Sequence, residues 1–182
     1  GSVNIGGIAR VMKNFGITDL RIVTPEATAL APPYDDRDAN DRAIHPPEVR
    51  AKAPLSDEAH KFAVHADWLL RDAKRCATAA EALADVTFVA ATTARQRENL
   101  PIVDAREAVE TLRAAAGEGK IAVVFGNEAT GLTNDELSLA NLGVMIRTAG
   151  HSANPRKKDV YTGGAGPTSL NLSHAVGVFA YE

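Results

Sequence analysis

Ile8, Ala9 and Met12 fall three, four and seven positions after Ile5, and Phe15 continues the same face, so the chain from Asn4 to Phe15 reads as an amphipathic helix. Gly16 follows as its stop, and Arg10, Lys13 and Asn14 occupy the polar side. The period then changes. Four short apolar runs, Leu20 to Val23, Val86 to Ala90, Ile121 to Phe125 and Val144 to Ile146, have the length and β-branched character of strands buried in a parallel sheet. Helix starts lie between them: Thr78 with Glu81 and Thr133 with Glu136 have capping-box spacing, and Asp104 opens a run that ends at Gly117. A last helix is expected from about Ser169 through Ala175, Val178 and Phe179. This alternation predicts an α/β fold, a parallel sheet flanked by helices, in one domain spanning 1–182. The exception is Ala31 to about Ser56, rich in Pro, Asp and Arg, which reads as an irregular excursion.

Composition narrows the class. With 182 residues, 45% hydrophobic and 24% charged, the chain can bury one ordinary core. No apolar run approaches the roughly 20 residues of a membrane-spanning helix. Twenty basic against 23 acidic residues leave a net charge of −3, so any RNA contact must be local, with Arg156, Lys157 and Lys158 as one basic cluster and Arg95 and Arg97 as another. Five Phe, three Tyr and one Trp offer little material for base stacking. A single cysteine, Cys76, excludes an internal disulfide, and the first residues lack signal-peptide character, so a reducing, cytoplasmic setting is expected. His60 and His65, five apart, would diverge on a helix, and no His or Cys spacing suggests a metal.

In α/β sheets ligands bind beyond the carboxyl ends of the strands. Three loops there are unusual: Thr92-Thr93-Ala94-Arg95, the run from Gly126 to Leu132 with Glu128 between glycines, and His151 to Pro167, which ends in Gly163-Gly164-Ala165-Gly166-Pro167. None has the glycine spacing of a P-loop or of a dinucleotide fingerprint.

Three stretches together carry a resemblance. Asn4-Ile5-Gly6-Gly7-Ile8-Ala9-Arg10-Val11-Met12-Lys13-Asn14-Phe15-Gly16, Phe125-Gly126-Asn127-Glu128-Ala129-Thr130-Gly131-Leu132 and Ser169-Leu170-Asn171-Leu172-Ser173-His174-Ala175-Val176 resemble, in order, the motifs of the SpoU/TrmH family, RNA ribose 2′-O-methyltransferases of the SPOUT superfamily. The first is most similar to the TrmJ-like branch that modifies tRNA. The resemblance implies a C-terminal trefoil knot, a rare exception to the rule against knots. It also implies a homodimer, S-adenosylmethionine bound in a bent form in the knot, and an RNA substrate, tRNA ahead of rRNA. Two departures accompany it. Members carry a strand ahead of the first motif, whereas here the chain begins three residues before Asn4, so the leading strand is expected to be missing or supplied differently. Members also continue from the strand ending at Ile146 with Pro and a short loop, whereas here Arg147 and a longer, Gly-rich, basic loop follow.

Roles follow from the same resemblance. Arg10 is placed at the target ribose and its phosphate; a guanidinium fork suits phosphate, so positioning comes first and proton removal second. Asn4 would organise the active site and also fits a helix N-cap. Glu128 either orients Arg10 or contacts substrate. Ser169 and Asn171 sit at a helix start, where free amides can hold a carboxylate or phosphate. The cofactor is expected to be read by backbone groups at Thr92, Thr93, Ala94, Gly126, Ile146, Thr168, Ser169 and Leu170. RNA contacts are expected at Arg10, Lys13, Asn14, Arg95, Arg156 and Lys157, while Trp68 reads as core or dimer contact. The reaction implied is in-line methyl transfer to a ribose hydroxyl with removal of its proton, without metal or covalent enzyme intermediate. The fold of the RNA, or an appended segment, would supply selection. Two alternatives stay open: a catalytically silent RNA-binding or assembly module of the same fold, and a small-molecule-binding α/β protein using the 163–167 loop.

Overall fold

The computed structural model describes residues 1–23, 54–93, 100–148 and 170–182. The chain divides into two compact units, Gly1–Val86 with Val176–Tyr181, and Thr87–Ala175 with Glu182. Most of the expected irregular excursion, the 151–167 loop, Ala94, Arg95, Arg97, Arg156, Lys157, Lys158, Thr168 and Ser169 lie outside the described residues.

In the first unit, helix α1 (Ser2–Asn14) starts two residues earlier than the apolar period indicates, with Gly1 at its N-cap and no side-chain cap. Asn4 therefore lies inside the first turn rather than at the cap, and it is buried. The helix stops where Gly16 predicts. Gly16 has φ +71°, its N–H donates to Lys13 O at 3.2 Å, and Ile17 N–H donates to Met12 O at 2.9 Å, which closes the last carbonyls in a Schellman motif. Phe15 falls outside the helix and is 47% exposed, so the core stripe ends at Met12.

Helix α2 (Asp57–Ala63) begins at Ser56, whose hydroxyl accepts from Ala59 N–H. Its Ala59 and Ala63, with Ala9 and Met12 of α1, join Ile22, Leu55, Ala66, Leu69 and Leu70 in one apolar core. The two helices approach so closely that a Cβ on Gly6 would lie 2.3 Å from Ala59 O and 2.7 Å from Phe62 Cβ. After α2 comes a 3-10 turn, Val64–Ala66, entered through Val64 at φ +51°. A β-branched residue there is strained by roughly 1–3 kcal/mol, a conformation that only the surrounding structure can hold. The holding contacts are visible: Asp67, which opens helix α3 (Asp67–Asp72), is bonded to His60 Nδ1 of α2 and to Arg71 one turn on. The His60 contact, above all, keeps the Asp67 carboxyl below its usual pKa, against burial, with Arg71 adding to the effect. Trp68, 43% exposed, is not core.

Strands β1 (Arg21–Val23) and β2 (Lys74–Cys76) pair in parallel, Arg21 opposite Lys74 and Val23 opposite Cys76. Arg21 locks this pair to helix α4 (Ala79–Ala82): it donates to Asp19 at 2.8 and 3.0 Å, to Asp85 at 3.1 Å and to Ala82 O. These two carboxylates, Asp19 first, hold its guanidinium firmly protonated. Thr78 caps α4 through Glu81 N–H as expected, but Glu81 returns its carboxylate to Ala77 N–H. Cys76 is fully buried, and burial raises its thiol pKa.

The second unit is built on four parallel strands in the order β4-β6-β3-β5: β3 (Phe88–Thr92), β4 (Ile102–Asp104), β5 (Ile121–Val124) and β6 (Leu142–Met145). β3 lies two residues later than its apolar run suggests, because Val86 N–H is taken by Leu83 O. β6 begins two residues earlier, since Leu142 and Gly143 pair with Ala90 and Ala91. β5 stands at one end of the order and is half-buried throughout rather than buried. Helix α5 (Ala105–Ala115) starts at the Asp104 cap, and α6 (Asn134–Ser138) at Thr133 with the full capping box to Glu136. Helix α7 (Leu172–Tyr181) starts three residues after Ser169. Among the described residues no helix is long and apolar enough to cross a membrane, and no group of three His, Cys, Asp or Glu side chains could hold a metal ion.

Two outcomes test these contacts. Gly6→Ala forces a methyl into backbone atoms of α2 and should destabilise the protein by about 1–3 kcal/mol, read from chemical denaturation. Because the folded pKa of Asp67 lies below its unfolded value of about 3.8, its contribution is fully present above that value and is lost as pH falls through the lower one. Asp67→Asn should therefore cost on the order of 1 kcal/mol at pH 5 and progressively less toward pH 3. A gap in melting temperature that is the same at both pH values would contradict the assignment.

Candidate active site

Parallel strands put all their carboxyl ends at one edge, and register decides which residues meet there. β3 pairs with β5, Ala91 opposite Val124, and with β6, Thr92 opposite Val144. The residues that follow, Thr93, Gly126 and Ile146, thus leave three neighbouring strands on the same side. Thr92 Oγ1 donates to Val124 O at 3.2 Å, and Thr93 N–H donates to Val144 O at 2.9 Å. The Thr93 amide is therefore committed to the sheet.

The 126–132 loop holds its own shape. Gly131 N–H donates to Asn127 O at 2.7 Å, and Asn127 Oδ1 accepts from Ala129 N–H at 2.8 Å, an Asx turn that lifts Glu128 to the exposed tip. Gly126 is demanded by close approach, since a Cβ there would lie 2.4 Å from both Gly131 C and Leu132 N.

Glu128 is met by the start of α7. Asn171 Nδ2 donates to Glu128 Oε1 at 3.0 Å, joining positions 43 residues apart. The other end of the same amide faces its own helix: Asn171 Oδ1 accepts from Ser173 N–H at 3.0 Å and from Ser173 Oγ at 2.7 Å. A backbone N–H can only donate and a carboxylate accepts, so the chemistry of the two partners fixes which end of the amide is oxygen. Leu170, just before, is half-buried. Ser173 was not among the expected site residues, although Asn-x-Ser at a helix start is a recognisable capping spacing.

The other expected residues that are described lie in the first unit. Arg10, Lys13 and Asn14 are exposed and, three and four positions apart, share one face of α1. Asn4 sits six residues before Arg10, about 120° round the helix, and is buried, so the two side chains leave α1 in different directions. The structure thus brings together Glu128 with Asn171, and Thr92 with Gly126 and Ile146.

Gly126→Ala should move the 126–132 loop without unfolding the sheet: amide resonances of residues 127–132 should shift while those of β3 and β6 keep their positions. Unchanged loop resonances would show that the loop tolerates the methyl.

Residues 37–154 match the SpoU rRNA methylase family. The tRNA (cytidine-2′-O-)-methyltransferase TrmJ of Methanocaldococcus jannaschii is 34% identical over all of this chain and 62% of its own length. The chain therefore spans somewhat under two thirds of that relative. Among solved structures, a methylase family protein from Neisseria gonorrhoeae superposes with a TM-score of 0.73 at 33% identity, covering 99% of this chain and 75% of that one. TrmJ from Z. mobilis ZM4 superposes at 0.68 with 31% identity, covering 100% and 62%. Ordered motifs, parallel α/β architecture and these likenesses agree: the chain belongs to the SpoU methylase family.

Proposed function

We propose that the protein is an S-adenosylmethionine-dependent RNA ribose 2′-O-methyltransferase acting on tRNA in preference to rRNA. The observation that carries this reading is the 3.0 Å hydrogen bond from Asn171 to Glu128, which unites residues of the second and third motifs at the edge where three parallel strands end. Transfer to the 2′-oxygen of a tRNA cytidine is the activity in the name of the M. jannaschii relative, which supports the substrate class. The reading includes a single SPOUT-type domain over 1–182 with a C-terminal trefoil knot, a homodimer and a cytoplasmic setting.

S-adenosylmethionine supplies an electrophilic methyl group on a sulfonium centre. The adjoining ends of β3, β5 and β6 fit it, because backbone carbonyls and small side chains at Thr92, Thr93, Gly126 and Ile146 suit a ligand with few charges to grip. Leu170 joins them, and Ala94, Thr168 and Ser169 complete the assignment from the motifs. Arg10 grips the phosphate and ribose of the target nucleotide, helped by Lys13 and Asn14 on the same exposed helix face. Glu128, its carboxylate held by Asn171, contacts the substrate, and Asn4 braces α1 from its buried side. Arg95, Arg156 and Lys157 extend the RNA contact. In-line alignment of the ribose oxygen supplies much of the rate, and proton removal by a positioned group completes the step.

Labelled-methyl transfer to total tRNA and rRNA, followed by nucleoside analysis, tests the function. A labelled 2′-O-methylnucleoside from tRNA is expected; RNA binding without transfer would favour the silent assembly module. In the same assay Arg10→Ala should lower transfer by roughly a hundredfold. Stability should change by less than about 0.5 kcal/mol, since the side chain is exposed. Cofactor affinity, measured by calorimetry, should stay within about twofold. Undiminished methylation by a folded Arg10→Ala protein would remove Arg10 from the active site.

A further inference from the structure

The amide of Asn171 has two ends with opposite chemistry, and only one rotation of the side chain serves Glu128. If the Asn171 side chain turns about its χ angles, the Nδ2 donor leaves the Glu128 carboxylate. Ser173 opposes that rotation, because it gives the amide oxygen two donors from one residue, its backbone N–H at 3.0 Å and its hydroxyl at 2.7 Å. The backbone donor is present whatever residue stands at 173. The hydroxyl donor is not, and it is the shorter of the two contacts. Ser173 and Asn171 are both half-buried, so water competes for these bonds less than at the exposed loop tip. Two donors on the oxygen also polarise the amide and strengthen its N–H toward the carboxylate.

We propose that Ser173 is a positioning residue for methyl transfer, acting through Asn171 on the carboxylate of Glu128; this rests on the methyltransferase reading of the site. The chain of contact is hydroxyl to amide oxygen, then amide nitrogen to carboxylate, and Ser173 itself touches neither substrate nor cofactor. Its effect is on how often Glu128 is held ready, which enters the rate of the bound complex rather than the affinity for either ligand.

Ser173→Ala removes the hydroxyl and keeps the backbone donor, whereas Ser173→Thr keeps both. We expect kcat to fall about fivefold to twentyfold in the alanine variant, with KM for tRNA and the dissociation constant for S-adenosylmethionine within about twofold of wild type, and threonine to restore kcat to within about twofold. In an Asn171→Ala background, Ser173→Ala should cost nothing further, because the residue through which it acts is gone. A readout independent of activity is the side-chain amide of Asn171 by NMR, identified by its loss in Asn171→Ala. Its two proton resonances should be well separated in wild type and in the threonine variant and should converge in the alanine variant. Wild-type kcat in Ser173→Ala, equal losses in the alanine and threonine variants, or a further loss in the Asn171→Ala background would each overturn the proposal. A wild-type protein that methylates no RNA would instead overturn the functional reading, and the amide spectra would still decide the Ser173–Asn171 contact by themselves.

Discussion

The pairing of β3 with a parallel neighbour on each side is the constraint on which the candidate site depends. Ala90 and Ala91, essentially unexposed, are opposite Val123 and Val124 on one side and Leu142 and Gly143 on the other. Because all three strands run the same way and are locked in register, their carboxyl ends lie side by side. The sheet thereby sets alanine, valine and leucine in the strands and places threonine, glycine and glutamate beyond their carboxyl ends.

Helix α1 solves a similar problem on a single element. Its inner face is built of small or slender groups, Ser2, Asn4, Gly6 and Ala9, because α2 passes so near that a single methyl at Gly6 would meet backbone. Arg10, one turn beyond Gly6 and on nearly the same side, stands exposed together with Lys13 and Asn14 toward the end of the helix. The glycine in this motif thus serves packing.

Much of this was legible in the sequence wherever a local rule decides the outcome. Gly16 ends α1, Asp104 and Thr133 open helices, and the β-branched runs become β3, β5 and β6 with shifts of a residue or two. What was not legible has physical causes. β2 is Lys74-Arg75-Cys76 and β4 is Ile102-Val103-Asp104, three residues each, too short to show a period and held as strands by their partners. Phe15 and Trp68 look like core by type but lie beyond a helix end and on an exposed helix face. Asn4 fits a capping residue by composition, yet α1 begins without a side-chain cap at Gly1. The meeting of Glu128 and Asn171 is a long-range contact that spacing alone cannot predict; the ordered motifs implied a shared site, and the hydrogen bond supplies its geometry.

That geometry also explains why an asparagine, rather than a cation, is the residue to hold Glu128. A lysine or arginine would bind the carboxylate more strongly but would largely cancel its charge, and so weaken whatever the carboxylate is there to do. An amide donor holds the oxygen while leaving the charge in place. Its weakness is that it can flip, presenting oxygen to oxygen. Setting the asparagine at the start of α7 removes that weakness, because the N–H of Ser173, which has no intrahelical acceptor in the first turn, donates only to the oxygen end. The helix start thus supplies direction, the amide supplies reach, and the carboxylate keeps its charge.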